Sequence, residues 1–394
     1  TLGFERVLPD LGQNIRCGNS LIGSDYFDDK LFPDEEARVR TNPFDWNIEF
    51  RDVLAMGGFD AVIGNPPWGA DFKEKGEIYL KSHYFTAKTP RVDSYAVFIE
   101  AGISLLKIGG LLGFITPDTF LRKKELLPIR NCLLTSTSIL ELIETGPVFS
   151  QVRDTWCLIF IVAKGFNESN QIHHLRLSRY IVSAEERLFL FSQRSWDNDS
   201  LVPQNYWLRR PGMVIGYLAN EEYQSIIQKL EKQPSLDELR NIFHISCGEE
   251  GSKFNINEDP EGSYFMVIPK DVKRHEVKSG TRINEAGLTL GKLESIYTKP
   301  KIWITRIQKM RWRQRIVGAL DRRKNSAAMK TLQSITLVSG PIEWLAYLSA
   351  ILPSKLINFW CVNYLADDMN QSYLSRIPIV PPSNCEEKIV KDLN

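Results

Sequence analysis

The sequence predicts an α/β domain, part of a doubly wound sheet, followed by a second region of mixed α+β character. Three observations carry this. The first is a short apolar run, Phe59-Asp60-Ala61-Val62-Ile63-Gly64, closed by prolines as a buried strand is. The second is Ser94 to Lys107, where Tyr95, Phe98, Ile99, Gly102, Leu105 and Leu106 share one helical stripe. Gly109-Gly110 is expected to stop that helix ahead of another apolar strand, Leu111 to Thr116, which Pro117 ends. Helix, glycine pair and strand in this order punctuate an alternating fold. The third is that the alternation fades after Lys164. Residues 166–235 read as a connecting region, with a polar turn at Asp197-Asn198-Asp199-Ser200 and a helix from Glu221 to Lys232. From 236 onwards the chain reads as short strands and a broken apolar helix pair.

Composition narrows the class. The chain has 394 residues, enough for two or three domains, and 43% hydrophobic with 25% charged residues is ordinary for a globular protein. A net charge of +1 gives no global signal for nucleic acid, so any such signal must be local. Cys17, Cys132, Cys157, Cys247, Cys361 and Cys385 are scattered without Cys-x-x-Cys spacing. That fits reduced thiols in a cytoplasmic protein and gives no metal site. The longest apolar run, Trp156 to Ala163, is too short to span a bilayer, so no membrane partner is expected. The chain begins at Thr1 without an initiator Met or a signal peptide and reads as a fragment.

Asn65-Pro66-Pro67-Trp68 follows the first strand. Proline fixes its own φ and keeps the preceding residue extended, so the Asn65 and Pro66 carbonyls are held in place. Two fixed acceptors and a flat ring suit the exocyclic amino group of a planar base. The plain alternative is a turn, for which Asn-Pro is common.

This tetrapeptide, behind a strand, resembles the signature of amino-methyltransferases that use S-adenosylmethionine, in which it binds the amine to be methylated. The resemblance implies a Rossmann-like catalytic domain. It implies Asn65, Pro66 and Trp68 at the reacting amine, with Asn65 and Pro67 also lining the cofactor. Upstream, Ile15-Arg16-Cys17-Gly18-Asn19-Ser20-Leu21 is similar to the segment that contacts the cofactor's adenine, which puts Asn19 and Ser20 there. Downstream, Gly146-Pro147-Val148-Phe149-Ser150-Gln151 resembles the segment of γ-type DNA adenine methyltransferases whose Phe stacks on an extruded base. Phe149 matches, and Ser150 replaces the usual Pro. The family's glycine-rich loop and ribose-binding acid are absent. Gly57-Gly58 and Gly109-Gly110 stand in the wrong order and context, so the loop is expected before Thr1, in an upstream portion of the polypeptide with or without a nuclease. Pro33-Asp34 with Glu36 is only superficially like a nuclease site and lacks a following Lys.

Tyr297 to Lys330 carries eleven Lys/Arg and one acid, Asp321. Trp303 and Trp312 lie among Arg306, Lys309, Arg311, Arg313, Arg315, Arg322, Arg323 and Lys324. A charge run is usually a solvated face, but this density with interleaved aromatics suits a surface that tracks phosphates. The segment Tyr347 to Trp360, followed by Leu374 to Ile379, is similar to the supporting helix of specificity domains in single-chain (type IIG-like) restriction–modification methylases, with Pro353 in place of the usual Asn.

The expected organisation is therefore 1–165, the C-terminal part of a methyltransferase domain; 166–235, a connection; and 236–394, a target-recognition domain. The expected function is S-adenosylmethionine-dependent methylation of adenine N6, on a base flipped from double-stranded DNA, in restriction–modification or phage defence. An RNA or protein-glutamine methyltransferase, or a non-catalytic DNA-binding specificity module, stands as the alternative.

Overall fold

The computed structural model describes residues 12, 14–28, 35–149, 155–178, 180–181, 183–216, 221–250, 258–306, 314–365 and 369–382. Two compact units are present: Thr1–Leu177 with Ala184–Val214, and Ser178–Ser183 with Ile215–Asn394.

The first unit is built on six strands: β1 (Phe59–Gly64), β2 (Leu106–Pro117), β3 (Thr137–Gly146), β4 (Cys157–Lys164), β5 (Gln171–Arg176) and β6 (Asn198–Pro203). Their order in the sheet is β1-β2-β4-β3-β5-β6. Strand β1 is parallel to β2 and β3 to β5, while β4 runs antiparallel to both β2 and β3. Strands β1, β2, β3 and β5 therefore point one way and present their C-terminal ends at one edge of the sheet. The stretch 166–235, expected as a connection, supplies β5 and β6 to this sheet. The turn expected at 197–200 is corrected: Asn198, Asp199 and Ser200 are the first residues of β6, which pairs antiparallel with β5 and is an edge strand among the described residues. One face of such a strand meets solvent, so its sequence is polar.

Three further expectations need correction. The strand at 59–64 forms where expected but is not buried: Ile63 is 91% exposed. Among the described residues β1 is the other edge of the sheet, and burial of a parallel strand requires cover on both faces. The helix that begins at Ser94 ends at Leu105, ahead of Gly109-Gly110. Its last carbonyls are met by Lys164, whose Nζ donates to Ser104 O at 2.9 Å and also to Leu106 O. The glycine pair instead forms a bulge, since Phe59 pairs with Leu106 but Ala61 with Leu111. Gly109 takes φ +79°, and a Cβ on Gly110 would lie 2.8 Å from Phe59 O. This helix is also buried on more than one stripe, because Ala96, Val97 and Ile103 lie inside along with Tyr95 and Ile99.

The second unit holds β7 (Phe243–Cys247), β8 (Tyr264–Val267), β9 (Val272–Lys273), β10 (Glu276–Val277), β11 (Thr281–Ile283), β12 (Lys301–Thr305), β13 (Gly318–Asp321), β14 (Ser326–Ala328) and β15 (Leu332–Leu337). They form an antiparallel sheet β13-β12-β15-β7, a three-stranded sheet β11-β8-β14 and the hairpin β9–β10. A core of Tyr264, Met266, Ile283, Tyr297, Trp303 and Leu332, among others, lies within this unit. Helices Glu343–Ile351 and Lys355–Tyr364 bend by 61° at a break containing Pro353, and Ser354 caps the second through Ile357 N. No single helix among the described residues is long and apolar enough to cross a membrane.

Candidate active site

The C-terminal edge of the first sheet is where an open α/β sheet binds ligands. Asn65 leaves β1 there with its residue exposed, Pro66 is buried, Pro67 exposed and Trp68 half-buried. The loop is pinned from behind. Ser94, fully buried at the start of the helix Ser94–Leu105, donates from Oγ to Pro67 O at 2.6 Å and accepts from Ala70 N at 3.3 Å. The proline pair thus sets the backbone path, and a hydroxyl on another element locks it.

Phe149 arrives from the end of β3. Gly146 turns the chain there with φ +71°, and a Cβ at that position would sit 2.4 Å from Arg187 Nη1. Arg187 is itself buried, donates to Thr145 O at 2.9 Å and lies 5.3 Å from the Trp156 ring centroid. Burial pushes its guanidinium down to about 10, against the pull of Glu186. The result is that Trp68 and Phe149 meet, with ring centroids 5.6 Å apart and planes at 68°. These positions lie 81 residues apart in the sequence, and the sheet brings them together. The Trp68 indole Nε1–H is buried and has no hydrogen-bond partner among the described residues.

Under this edge lies a charged cluster that the sequence did not reveal. Arg122 bridges Asp118 at 2.9 Å and Glu144 at 2.7 Å, and His174 meets Glu144 at 2.9 Å. Arg176 stands 3.9 Å from Glu144. All five residues are buried. Burial raises the Glu144 carboxyl, but the Arg122 and Arg176 charges and the His174 bond outweigh it and hold it well below the usual carboxylate range. Asp118 follows β2 and Glu144 precedes Gly146, so the cluster ties together the two strand ends behind Phe149. Asp93, the half-buried residue before Ser94, has its carboxyl raised by burial against the opposing pull of Lys123 and Arg91. An Asp-Ser pair ahead of an apolar helix is a helix-start signature, so Ser94 was within reach of the sequence.

Asn19 and Ser20 are held in a neighbouring layer. Asn19 Oδ1 accepts from Leu21 N at 3.2 Å, and Ser20 O accepts from Trp46 Nε1 at 3.0 Å. The next residue, Leu21, packs in one cluster with Val92 and with Val97 and Ala101 of the helix Ser94–Leu105. The Asn19 side-chain oxygen is thus engaged in a local turn.

S-adenosylmethionine is fitted in part by these residues. At the strand end the exposed Asn65 and Pro67 stand next to the half-buried Trp68, whose indole N–H is buried. The cofactor's amino-acid end finds no cradle among the described residues, because Gly57-Gly58 and Gly109-Gly110 lie at the opposite end of β1 and the start of β2.

In the second unit the expected basic surface divides. Lys309, Arg311, Trp312 and Arg313 lie outside the described residues. Arg322 and Lys324 are exposed, and Arg306 is half-buried. Arg323 is half-buried and donates to both oxygens of Asp321, at 2.7 and 2.8 Å. Arg315 corrects the expectation, being fully buried beside Asn358 and Cys361 and so unable to face phosphates. Trp303 is likewise core, because it points inward from β12. Lys301 is buried with it, and its Nζ donates to Tyr297 O, Ser326 O, Ser326 Oγ and Arg323 O, at 2.9–3.3 Å. Burial lowers this ammonium to about 7, opposed by Asp321.

Residues 8–149 match the family model of the Eco57I restriction-modification methylase. Over 97% of its length the chain is 26% identical to a putative type II restriction enzyme and methyltransferase of Methanocaldococcus jannaschii, and it spans 32% of that relative. It is 29% identical over half its length to the type II restriction enzyme and methyltransferase RM.Eco57I of Escherichia coli, spanning 19% of that protein. Among solved structures, the type IIL restriction-modification enzyme MmeI in complex with DNA superposes with a TM-score of 0.52 at 12% identity, covering 88% of this chain and 49% of that one. That likeness extends the shared fold across both units. Residues 8–149 are thus similar to the Eco57I restriction-modification methylase, and the chain as a whole is similar to part of a type II restriction enzyme and methyltransferase.

Proposed function

We propose that this chain is the base-binding and DNA-binding part of a restriction–modification methyltransferase that methylates the N6 amine of adenine in double-stranded DNA. The observation that carries this reading is the aromatic pair Trp68–Phe149 at the sheet edge, beside an exposed Asn held by a proline pair. A base leaving a duplex loses its stacking, and two rings at the strand ends offer a replacement. S-adenosylmethionine, when bound, supplies an electrophilic methyl group. The chain's own task is to present the amine. Asn65 Oδ1 and Pro66 O accept its two N–H groups, which draws lone-pair density out of the aromatic ring and onto the nitrogen. No strong base is needed, because the N–H proton becomes acidic only as the new N–C bond forms and then leaves to water.

The rings touch each other as they stand. A base stacked between two parallel rings needs about 7 Å between them, twice the usual contact distance. Phe149 therefore has to swing away from Trp68 as the base arrives. In this reading the enzyme works in the cytoplasm, where its DNA is. The test is methylation of duplex DNA by the whole polypeptide with labelled S-adenosylmethionine, followed by nucleoside analysis. N6-methyladenine is expected. Label in cytosine, in RNA or in protein would overturn the adenine assignment.

A further inference from the structure

The hairpin β9–β10 is a second basic element of the second unit, and the sequence run at 297–330 does not include it. We propose that its tip, Lys273 and Arg274, together with Lys278, Arg282, Arg322 and Lys324, forms a face that binds the phosphodiester backbone of DNA. This rests on the DNA reading above and names where the backbone lies.

Four observations support it. Residues 270–282 carry five Lys/Arg against two acids, and 321–324 three against one, in a chain whose net charge is only +1. The two segments lie about 45 residues apart in sequence and are joined in space. His275 N donates to Gly318 O at 3.4 Å, at the start of β13, and β13 runs directly into Arg322. Arg323 acts as the strut between them. Its guanidinium is committed to Asp321, Lys278 O and Ser279 Oγ, the last two at 3.3 Å, and lies 5.7 Å from the Phe265 ring centroid. Arg282 lies 5.3 Å from the same centroid, so two guanidiniums flank one ring.

The acids nearest the hairpin and Arg323 are engaged or outnumbered, while Asp259, whose N donates to Arg282 O at 3.0 Å, accepts from Glu261 N. Asp321 is occupied by Arg323, and Asp271 accepts from Ile268 N. Glu276 lies opposite Lys273 in the hairpin's backbone register and is outnumbered there by Lys273, Arg274 and Lys278. Arg274 stands at the apex and is exposed, as are Lys273, Lys278, Arg282, Arg322 and Lys324. His275 completes the turn at φ 69°, a conformation that a non-glycine side chain seldom adopts. A short hairpin raised on a strut, with cations at its apex and flank, suits the regular spacing of backbone phosphates better than it suits any packing role.

The experiment is a salt series of duplex-DNA binding by the whole polypeptide, read by fluorescence anisotropy. The log–log slope falls by about 0.9 for each phosphate that a side chain no longer neutralises. Lys273→Gln/Arg274→Gln is expected to weaken binding about tenfold or more and to flatten the slope by about two units. Arg274→Gln alone is expected to flatten it by about one unit, and this exposed single change keeps the test valid should the double variant fold poorly. Lys229→Glu, on the exposed side of the helix Glu221–Glu231, is expected to change affinity less than twofold. Hairpin variants that match wild type overturn the inference while leaving the methylation reading standing. Equal losses in Lys229→Glu and in the hairpin variants also overturn it, since the effect would then be one of overall charge. Wild type that binds no duplex DNA overturns the DNA reading and this inference together.

Discussion

The indole of Trp68 and the phenyl ring of Phe149 meet edge to face, 5.6 Å between centroids, although one follows β1 and the other follows β3. Two strands lie between β1 and β3 in the sheet, β2 and β4. The loops that leave the strand ends must therefore lean towards each other to bring the rings together. The Ser94 bond to Pro67 holds one loop in that lean, and the Gly146 turn against Arg187 starts the other.

If the pair receives a base, Phe149→Ala should lower the methylation rate or affinity about ten- to a hundredfold, from a stacking loss of roughly 1–3 kcal/mol per base. A target adenine replaced by 2-aminopurine should brighten on binding to wild type and brighten less with the variant. Unchanged fluorescence and rate, with a lowered melting temperature, would make Phe149 an ordinary packing residue.

Asn65→Ala should cut turnover on the order of a hundredfold or more, the scale of losing one placed polar group at a centre of developing charge. DNA affinity should hold, because Asn65 touches no phosphate. Turnover within a few-fold of wild type, measured with labelled S-adenosylmethionine, would remove Asn65 from the amine clamp.

Ser94→Ala tests the lock behind the clamp. Loss of one buried hydrogen bond costs about 1 kcal/mol of stability. The loosened 65–68 loop should lower kcat by about tenfold while KM for DNA stays near wild type. Ser94→Thr, which keeps the hydroxyl, should restore most of the rate. A stability loss with no change in kcat would leave Ser94 as a helix-start residue alone.

Glu144 predicts a pH dependence. Its folded pKa lies below the unfolded value of about 4.3. Glu144 therefore stabilises the fold at pH values above about 4.3, and this contribution is lost as pH falls through the folded pKa. Glu144→Gln leaves the buried Arg122 without its closer carboxylate and should cost about 3 kcal/mol or more near pH 7. The gap between wild type and variant, from urea unfolding, should narrow as the pH is lowered below 4. A gap independent of pH would show that the cluster's charge is not what stabilises this edge.

The local elements were legible in the sequence wherever a residue type dictates backbone geometry. Pro66-Pro67 after an apolar run fixed the end of β1, Pro117 the end of β2, and Pro353 the break in the helix pair. Asn65, Trp68 and Phe149 could be named because their motifs are short and contiguous. Burial and partnership were not legible, because both depend on what lies across the sheet. The run at 59–64 is apolar enough for a buried strand, yet its edge position leaves Ile63 in solvent. Arg315 and Lys301 belong to a basic run but fill the interior, where backbone carbonyls, Asn358 and Cys361 surround them. The Asp118–Arg122–Glu144–His174 cluster gathers residues from three strand ends and had no sequence signature at all. Motif chemistry is local and is written in consecutive residues. Electrostatic partnership acts over a few ångströms in space, and only the tertiary fold decides which distant residues come that close.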